Sequence, residues 1–96
     1  MKVDFIEDGH GSAVLLIHST VAGNKQWRKL IEYLSQQYRV IAPNLFGYGS
    51  TPNWSKNRNQ TLSDQVDLLR VFFDQNESIS IVGHSFGGSV AMMAAK

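Results

Sequence analysis

The residues of this 96-residue chain best placed to do chemistry are Gly83-His84-Ser85-Phe86-Gly87, a serine with a glycine two positions to either side. A serine hydroxyl becomes an acyl-transfer nucleophile when a base takes its proton. The flanks suit that role. Ile79, Ile81 and Val82 predict a buried parallel strand ending at Gly83, and Val90-Ala91-Met92-Met93-Ala94-Ala95 predicts a helix. A serine on so sharp a strand-to-helix turn has a strained backbone and an exposed hydroxyl. A Cβ at Gly83 or Gly87 would collide with the neighbouring strand or helix. The helix N-terminus turns free N–H groups, and the positive end of its dipole, toward the oxygen under attack. Three fixed positions match by chance in roughly 3% of chains this long, so the flanking elements carry the reading. The competing reading is a tight turn in which Ser85 only caps the helix.

Other glycine-rich stretches fail on their own chemistry. Gly83 and Gly88 have the spacing of a phosphate-binding loop, but Ser89 stands where its lysine must be. Gly47-Tyr48-Gly49 follows a strand, yet Pro52 takes the third glycine position of a dinucleotide fingerprint. The three histidines, His10, His18 and His84, have no i, i+4 pairing and predict no metal site. There are no cysteines, which excludes a disulfide frame or thiolate chemistry. Nine basic and eight acidic side chains leave a net charge of +1 with no basic face, so neither nucleic acid nor an anionic membrane is expected as partner. The N-terminus has acidic residues where a signal peptide has its apolar core, and no apolar run reaches the ~20 residues of a membrane span. A single small domain, soluble and cytoplasmic, is the expectation.

The elements that must position the serine follow from periodicity. Val3 to Glu7 predicts a first strand, with a turn at Asp8-Gly9-His10-Gly11. Ala13 to Ile17 is a continuous apolar run, the pattern of a strand buried on both faces. Asn24 reads as the N-cap of a helix whose Trp27, Leu30, Ile31 and Leu34 form one stripe. Tyr38 to Ala42 is the next strand, closed by Pro43, and Leu45 to Asn59 is an aperiodic excursion. Thr61 with Asp64 predicts a capping box, opening a helix with Leu62, Val66, Leu69 and Phe73 on one side and Asp64 and Asp67 solvated. The order β, β, α, β, α, β, α implies an α/β fold, a mostly parallel sheet of about four strands with helices on both faces.

With these residues in view, the chain resembles the N-terminal part of the α/β-hydrolase family. Gly83 to Gly87 looks like the family's nucleophile elbow. His18-Ser19-Thr20 falls where the family usually has His-Gly-x after its third strand. Pro43 to Ser50 looks like its D-x-x-G-x-G-x-S segment, and Trp27 also fits. There are two departures: Ser19 replaces the usual glycine, and Asn44 the usual aspartate.

The resemblance implies Ser85 as nucleophile, with the backbone N–H groups of Phe86 and Thr20 forming the oxyanion hole and Gly83, His84 and Gly87 supporting the elbow. It further implies an acyl-enzyme formed with small ester-like substrates, and no cofactor. His18 would organise its loop, His84 would pack and hydrogen-bond, and His10 would sit in a solvated turn. The family's acid and histidine follow the serine in sequence, yet residues 86–96 contain no Asp, Glu or His. The expectation is therefore that residues 1–96 form a partial domain, inactive alone, with the cap, later strands and remaining triad beyond residue 96. The elbow strand would then expose an apolar edge open to self-association. A non-catalytic small-molecule-binding domain, or a truncated interaction partner, remains the alternative function.

Overall fold

The structure, a computed structural model, describes residues 2–21, 23–75 and 78–95. Strand β1 is Phe5–Asp8, β2 is Ala13–Ile17, β3 is Arg39–Pro43 and β4 is Ile79–Gly83. Helix α1 is Arg28–Leu34, α2 is Leu62–Leu68, α3 is Arg70–Asp74 and α4 is Phe86–Ala94. They form one four-stranded sheet in the order β1-β3-β2-β4. β1 runs antiparallel to β3, whereas β2 pairs parallel with both β3 and β4.

The apolar run of β2 explains why this strand is central: all five of its residues are buried. Alternate side chains leave opposite faces of a strand. Leu15 and Ile17 accordingly pack with Ile41, Leu45, Leu69, Phe72 and Val90 on the face covered by α2, α3 and α4. Val14 and Leu16 pack with Trp27, Ile31, Val40 and Ala42 on the face covered by α1. Burying each such Leu or Ile contributes about 1.5–3 kcal/mol, so the two-sided core anchors β2 from both faces. Helices lie on both faces, as the element order implied.

Three local expectations are corrected. Asn24 is not a helix N-cap: it lies in a 3₁₀ turn over Gly23–Trp27, and α1 begins only at Arg28. Its buried amide instead donates to the Ala42 carbonyl at 2.9 Å, tying the turn to β3. The helix after residue 61 is broken at Leu69, whose φ of −89° and ψ of 0° tighten the chain between α2 and α3. That step places Leu69 and Phe72 in the core and leaves Leu62, Val66 and Phe73 at its border. Asp64 is not solvated either. It is buried, and Arg58 grips both carboxylate oxygens at 2.8 Å while stacking 4.9 Å from the centre of the Trp54 ring.

The capping box itself forms as expected. The Thr61 N–H donates to Asp64 Oδ2 at 2.7 Å, and the Asp64 N–H donates to Thr61 Oγ1 at 3.3 Å. In the sheet, β4 is the last strand, and its outer side pairs with no described strand. A fourth expectation is thereby corrected: this strand is not buried, since Ile79 and Ile81 are only partly buried and Val82 is 39% exposed. No helix among the described residues is long and apolar enough to cross a membrane.

The Arg58 guanidinium, then the Thr61 N–H, hold the Asp64 carboxyl far below its ordinary value of 3.8. A depressed carboxylate stabilises the fold above the unfolded-state value and loses that contribution as pH falls toward the folded one. Asp64→Asn, which keeps an acceptor for the Thr61 N–H but cannot titrate, should therefore lower the urea midpoint most above about pH 5. The deficit should shrink steadily toward about pH 2.

Candidate active site

At the carboxyl end of β4 the chain makes one abrupt step. Ser85 has φ 57° and ψ −116°, and it alone among the described non-glycine residues has a positive φ. Such a conformation costs on the order of 1–3 kcal/mol and persists only where the surroundings enforce it. The Ser85 residue is exposed, and its side chain makes no capping hydrogen bond to α4. Thr61 provides the contrast within the same chain. It is an ordinary cap, with extended backbone at φ −110° and ψ 169°, and its hydroxyl accepts the Asp64 N–H. Ser85 does not have the geometry of a helix cap.

What enforces the step is backbone approach. A Cβ on Gly83 would lie 2.4 Å from the Gly87 carbonyl oxygen and 2.7 Å from Gly88 Cα, so the strand end and the helix start touch. A Cβ on Gly87 would meet the carbonyl oxygens of Ile17 at 2.1 Å and His18 at 2.5 Å, so the first turn of α4 presses on the end of β2. The His84 N–H continues the parallel ladder to the Ile17 carbonyl at 3.2 Å. At either glycine, then, a side chain would collide with backbone.

The loop after β2 is held against this turn by named contacts. His18 is wholly buried. A backbone N–H can only donate and a carbonyl can only accept, so its two partners assign its tautomer. Nε2 accepts the Leu45 N–H at 3.0 Å, and Nδ1–H donates to the Ser19 carbonyl at 2.6 Å. The ring also lies edge-on to Tyr48, with centroids 4.5 Å apart. Burial, opposed by the bond to Ser19, pushes His18 below its ordinary 6.5, which favours the neutral ring. With both nitrogens engaged, the ring has none left to take a proton from Ser85.

Ser19, where the family usually has glycine, does not need left-handed backbone, since its φ is not positive. Its N–H donates to Gln26 Oε1 at 2.6 Å, and the Gln26 amide reaches on to His84 Nδ1 at 3.0 Å. The Ser19 carbonyl points at buried His18, and in a trans peptide the following N–H points the opposite way. The Thr20 N–H is thus directed away from the His18 ring, while the Thr20 carbonyl accepts the Tyr48 hydroxyl at 2.8 Å. Neither the Thr20 N–H nor the Phe86 N–H donates to a described residue.

Asn44 spans two elements. Its Oδ1 accepts the Asn24 N–H at 2.8 Å, and its Nδ2 donates to Asp4 at 2.9 Å. The Ser50 N–H and this amide hold the Asp4 carboxyl below its ordinary range.

His10 lies in the connection between β1 and β2, at the opposite end of the sheet from Ser85. A cleft of about 420 Å³ lies between the 46–58 excursion and α2, walled by Phe46, Trp54, Leu68 and Val71, and Ser85 does not line it. Sequence reasoning missed Gln26, Asp4 and Arg58. No periodic pattern marks any of the three: Arg58 lies in the aperiodic excursion and Gln26 in the 3₁₀ turn, and the partners Asn44 and His84 lie 40 and 58 positions from Asp4 and Gln26.

With a mostly parallel sheet, a strained residue at a strand-to-helix step and a glycine-packed turn against the neighbouring strand, the chain belongs to the α/β hydrolase fold family, whose profile matches residues 12–96. It is 38% identical over 89 residues to an uncharacterized protein of Mycobacterium tuberculosis, covering 91% of this chain and 26% of that protein. It is also 34% identical over 98 residues to a 2-hydroxy-6-oxo-6-(2'-aminophenyl)hexa-2,4-dienoic acid hydrolase of Metapseudomonas resinovorans, covering 96% of this chain and 33% of that enzyme. Among solved structures, a meta-cleavage product hydrolase of Pseudomonas fluorescens superposes with a TM-score of 0.85 at 36% identity. That match covers 97% of this chain and 36% of the other. The chain therefore spans about a quarter to a third of the length of these relatives.

Gly87 and its neighbour Gly88 provide a graded test. Gly87→Ala drives a methyl into the Ile17 and His18 carbonyls and should destabilise the fold by about 3 kcal/mol or more. Gly88→Ala, whose methyl would sit 3.6 Å from the Gly83 carbonyl, should be tolerated or should stabilise α4 by about 0.5–1 kcal/mol. Urea unfolding of the two variants reads the difference.

Proposed function

We propose that the chain carries the nucleophile half of a serine hydrolase site. Ser85 attacks the carbonyl carbon of an ester-like acyl substrate, and the alkoxy group leaves to give an acyl-enzyme that water then hydrolyses. The negative oxygen of each tetrahedral intermediate is received by the N–H groups of Phe86 and Thr20, where one such donor is worth about 3–4 kcal/mol. The observation that carries this reading is the backbone of Ser85: left-handed, exposed and without a capping bond. An incidental turn residue would relax at a gain of on the order of 1–3 kcal/mol, so strain enforced from both sides supports a functional role.

The general base and its acid partner come, in this proposal, from outside residues 1–96. Supporting this, His18 has both ring nitrogens engaged, His10 sits at the far end of the sheet, and His84 Nδ1 is occupied by Gln26. The 96 residues alone would then turn over no ester.

In the whole protein, Ser85→Ala should lower ester hydrolysis by at least about 10⁴-fold and abolish labelling by a fluorophosphonate probe, with the fold intact by circular dichroism. Ser85→Gly should be equally inactive yet unfold at higher urea, because glycine adopts φ 57° without strain. Near-normal turnover by Ser85→Ala would exclude the assignment.

The open outer side of β4 and the exposure of Val82 favour a second property, pairing of this edge with another strand. The 96-residue chain alone should sediment as dimers or larger species, and Val82→Lys should shift it toward monomer. A wild-type monomer at all concentrations would rule this out.

A further inference from the structure

We propose that Gln26 is a positioning residue of the oxyanion loop, an inference that rests on the serine hydrolase reading above. The side chain joins two segments that the fold brings together from far apart in sequence. Its Oε1 must face the Ser19 N–H, because that group can only donate. The carboxamide orientation is thereby fixed, Nε2 faces His84, and His84 Nδ1 is the acceptor. One planar amide therefore spans the loop that leaves β2 and the residue immediately before Ser85.

Three backbone groups of the loop are pinned, one of them by Gln26. Gln26 holds the Ser19 N–H, the buried His18 ring holds the Ser19 carbonyl, and the Tyr48 hydroxyl holds the Thr20 carbonyl. The Thr20 N–H lies in the chain between the two bonded carbonyls. Without Gln26, the peptide unit before Ser19 loses its fixed partner, and the loop loses its tie to the elbow. A donor misplaced by a fraction of an ångström stabilises an oxyanion poorly, because the contribution depends on pre-set distance and direction. The amide of Gln26 is engaged by Ser19 and His84, not by Ser85. Its effect is to set the distance between the two donors, one on Thr20 and one on Phe86.

The test uses the whole protein, a fluorophosphonate probe, p-nitrophenyl acetate and amide hydrogen exchange at Ser19. Gln26→Leu and Gln26→Met should both slow labelling of Ser85 tenfold or more. The kcat for p-nitrophenyl acetate should fall by the same factor with KM within twofold, and the Ser19 amide should exchange faster. Gln26→Glu, which keeps an acceptor, should retain slow Ser19 exchange and shows whether the loop remains tied if the apolar variants fold poorly. Labelling of Gln26→Met within twofold of wild type would mean that volume, not the amide, matters, and would overturn the proposal. Slower labelling with unchanged Ser19 exchange would overturn it as well. A wild-type protein that the probe leaves unlabelled would sink the hydrolase reading first, and this role with it, which separates the two failures.

Discussion

The structure depends on one close approach, that of the first turn of α4 against the carbonyl end of β2. At Gly87 the gap to the Ile17 and His18 carbonyl oxygens is too small for any side chain. Close packing there holds the start of α4 against the sheet, and Ser85, the link from β4, has φ 57°. The cost of that residue, on the order of 1–3 kcal/mol, is small beside the burial of β2. Leu15, Leu16 and Ile17 are all fully buried, so β2 is anchored from both faces and cannot retreat from the helix. Strain at the serine is therefore a consequence of core packing one strand away.

Topology then decides where the turn points. From β2 the chain crosses to β3 on one side, and from β3 it returns past β2 to β4 on the other. Loops leaving the carboxyl ends of β2 and β4 diverge at this reversal, and open α/β sheets bind ligands in the crevice so formed. The 18–20 loop and the 83–87 turn occupy that position, with Ile17 in register with Gly83. Hydrogen bonding completes the geometry from beneath. A buried neutral His18 joins the loop after β2 to the start of the segment after β3, through Ser19 on one side and Leu45 on the other. Protonating that ring would give Nε2 a hydrogen facing the Leu45 N–H, and burial resists this change.

What could be read from the residues, and what could not, divides by sequence distance. The strand Ala13–Ile17, the stripe Trp27, Leu30, Ile31 and Leu34, and the capping box at Thr61 and Asp64 are all local patterns, and all form. The elbow was legible because its glycines sit two positions from the serine and their purpose is steric. Asn24 was misread because an N-cap and a buried cross-link use the same amide, and its partners Ala42 and Asn44 lie 18 and 20 positions away. Asp64 was misread because its guanidinium partner comes from the aperiodic excursion, where no pattern marks one residue above another. Gln26 reaches across 58 positions and had no signal at all.

The departure at Asn44 shows how such a distant contact alters the meaning of a substitution. In isolation, asparagine for the family's usual aspartate removes a charge from the turn after β3. In the structure the carboxylate is present but comes from Asp4, just before β1, which runs antiparallel beside β3. Asp4 accepts the Ser50 N–H and the Asn44 amide, and the Thr51 hydroxyl in turn donates to the Asn44 carbonyl. An aspartate at 44 would set two carboxylates about 3 Å apart, an arrangement that raises the pKa of one of them and costs folding energy. The amide instead donates to one neighbour and accepts from the other, the Asn24 N–H, so no polar atom of its side chain is left unmatched. That pairing fixes the 3₁₀ turn that carries Gln26, and through it the loop beside Ser85. A residue at the far edge of the sheet is in this way mechanically continuous with the serine.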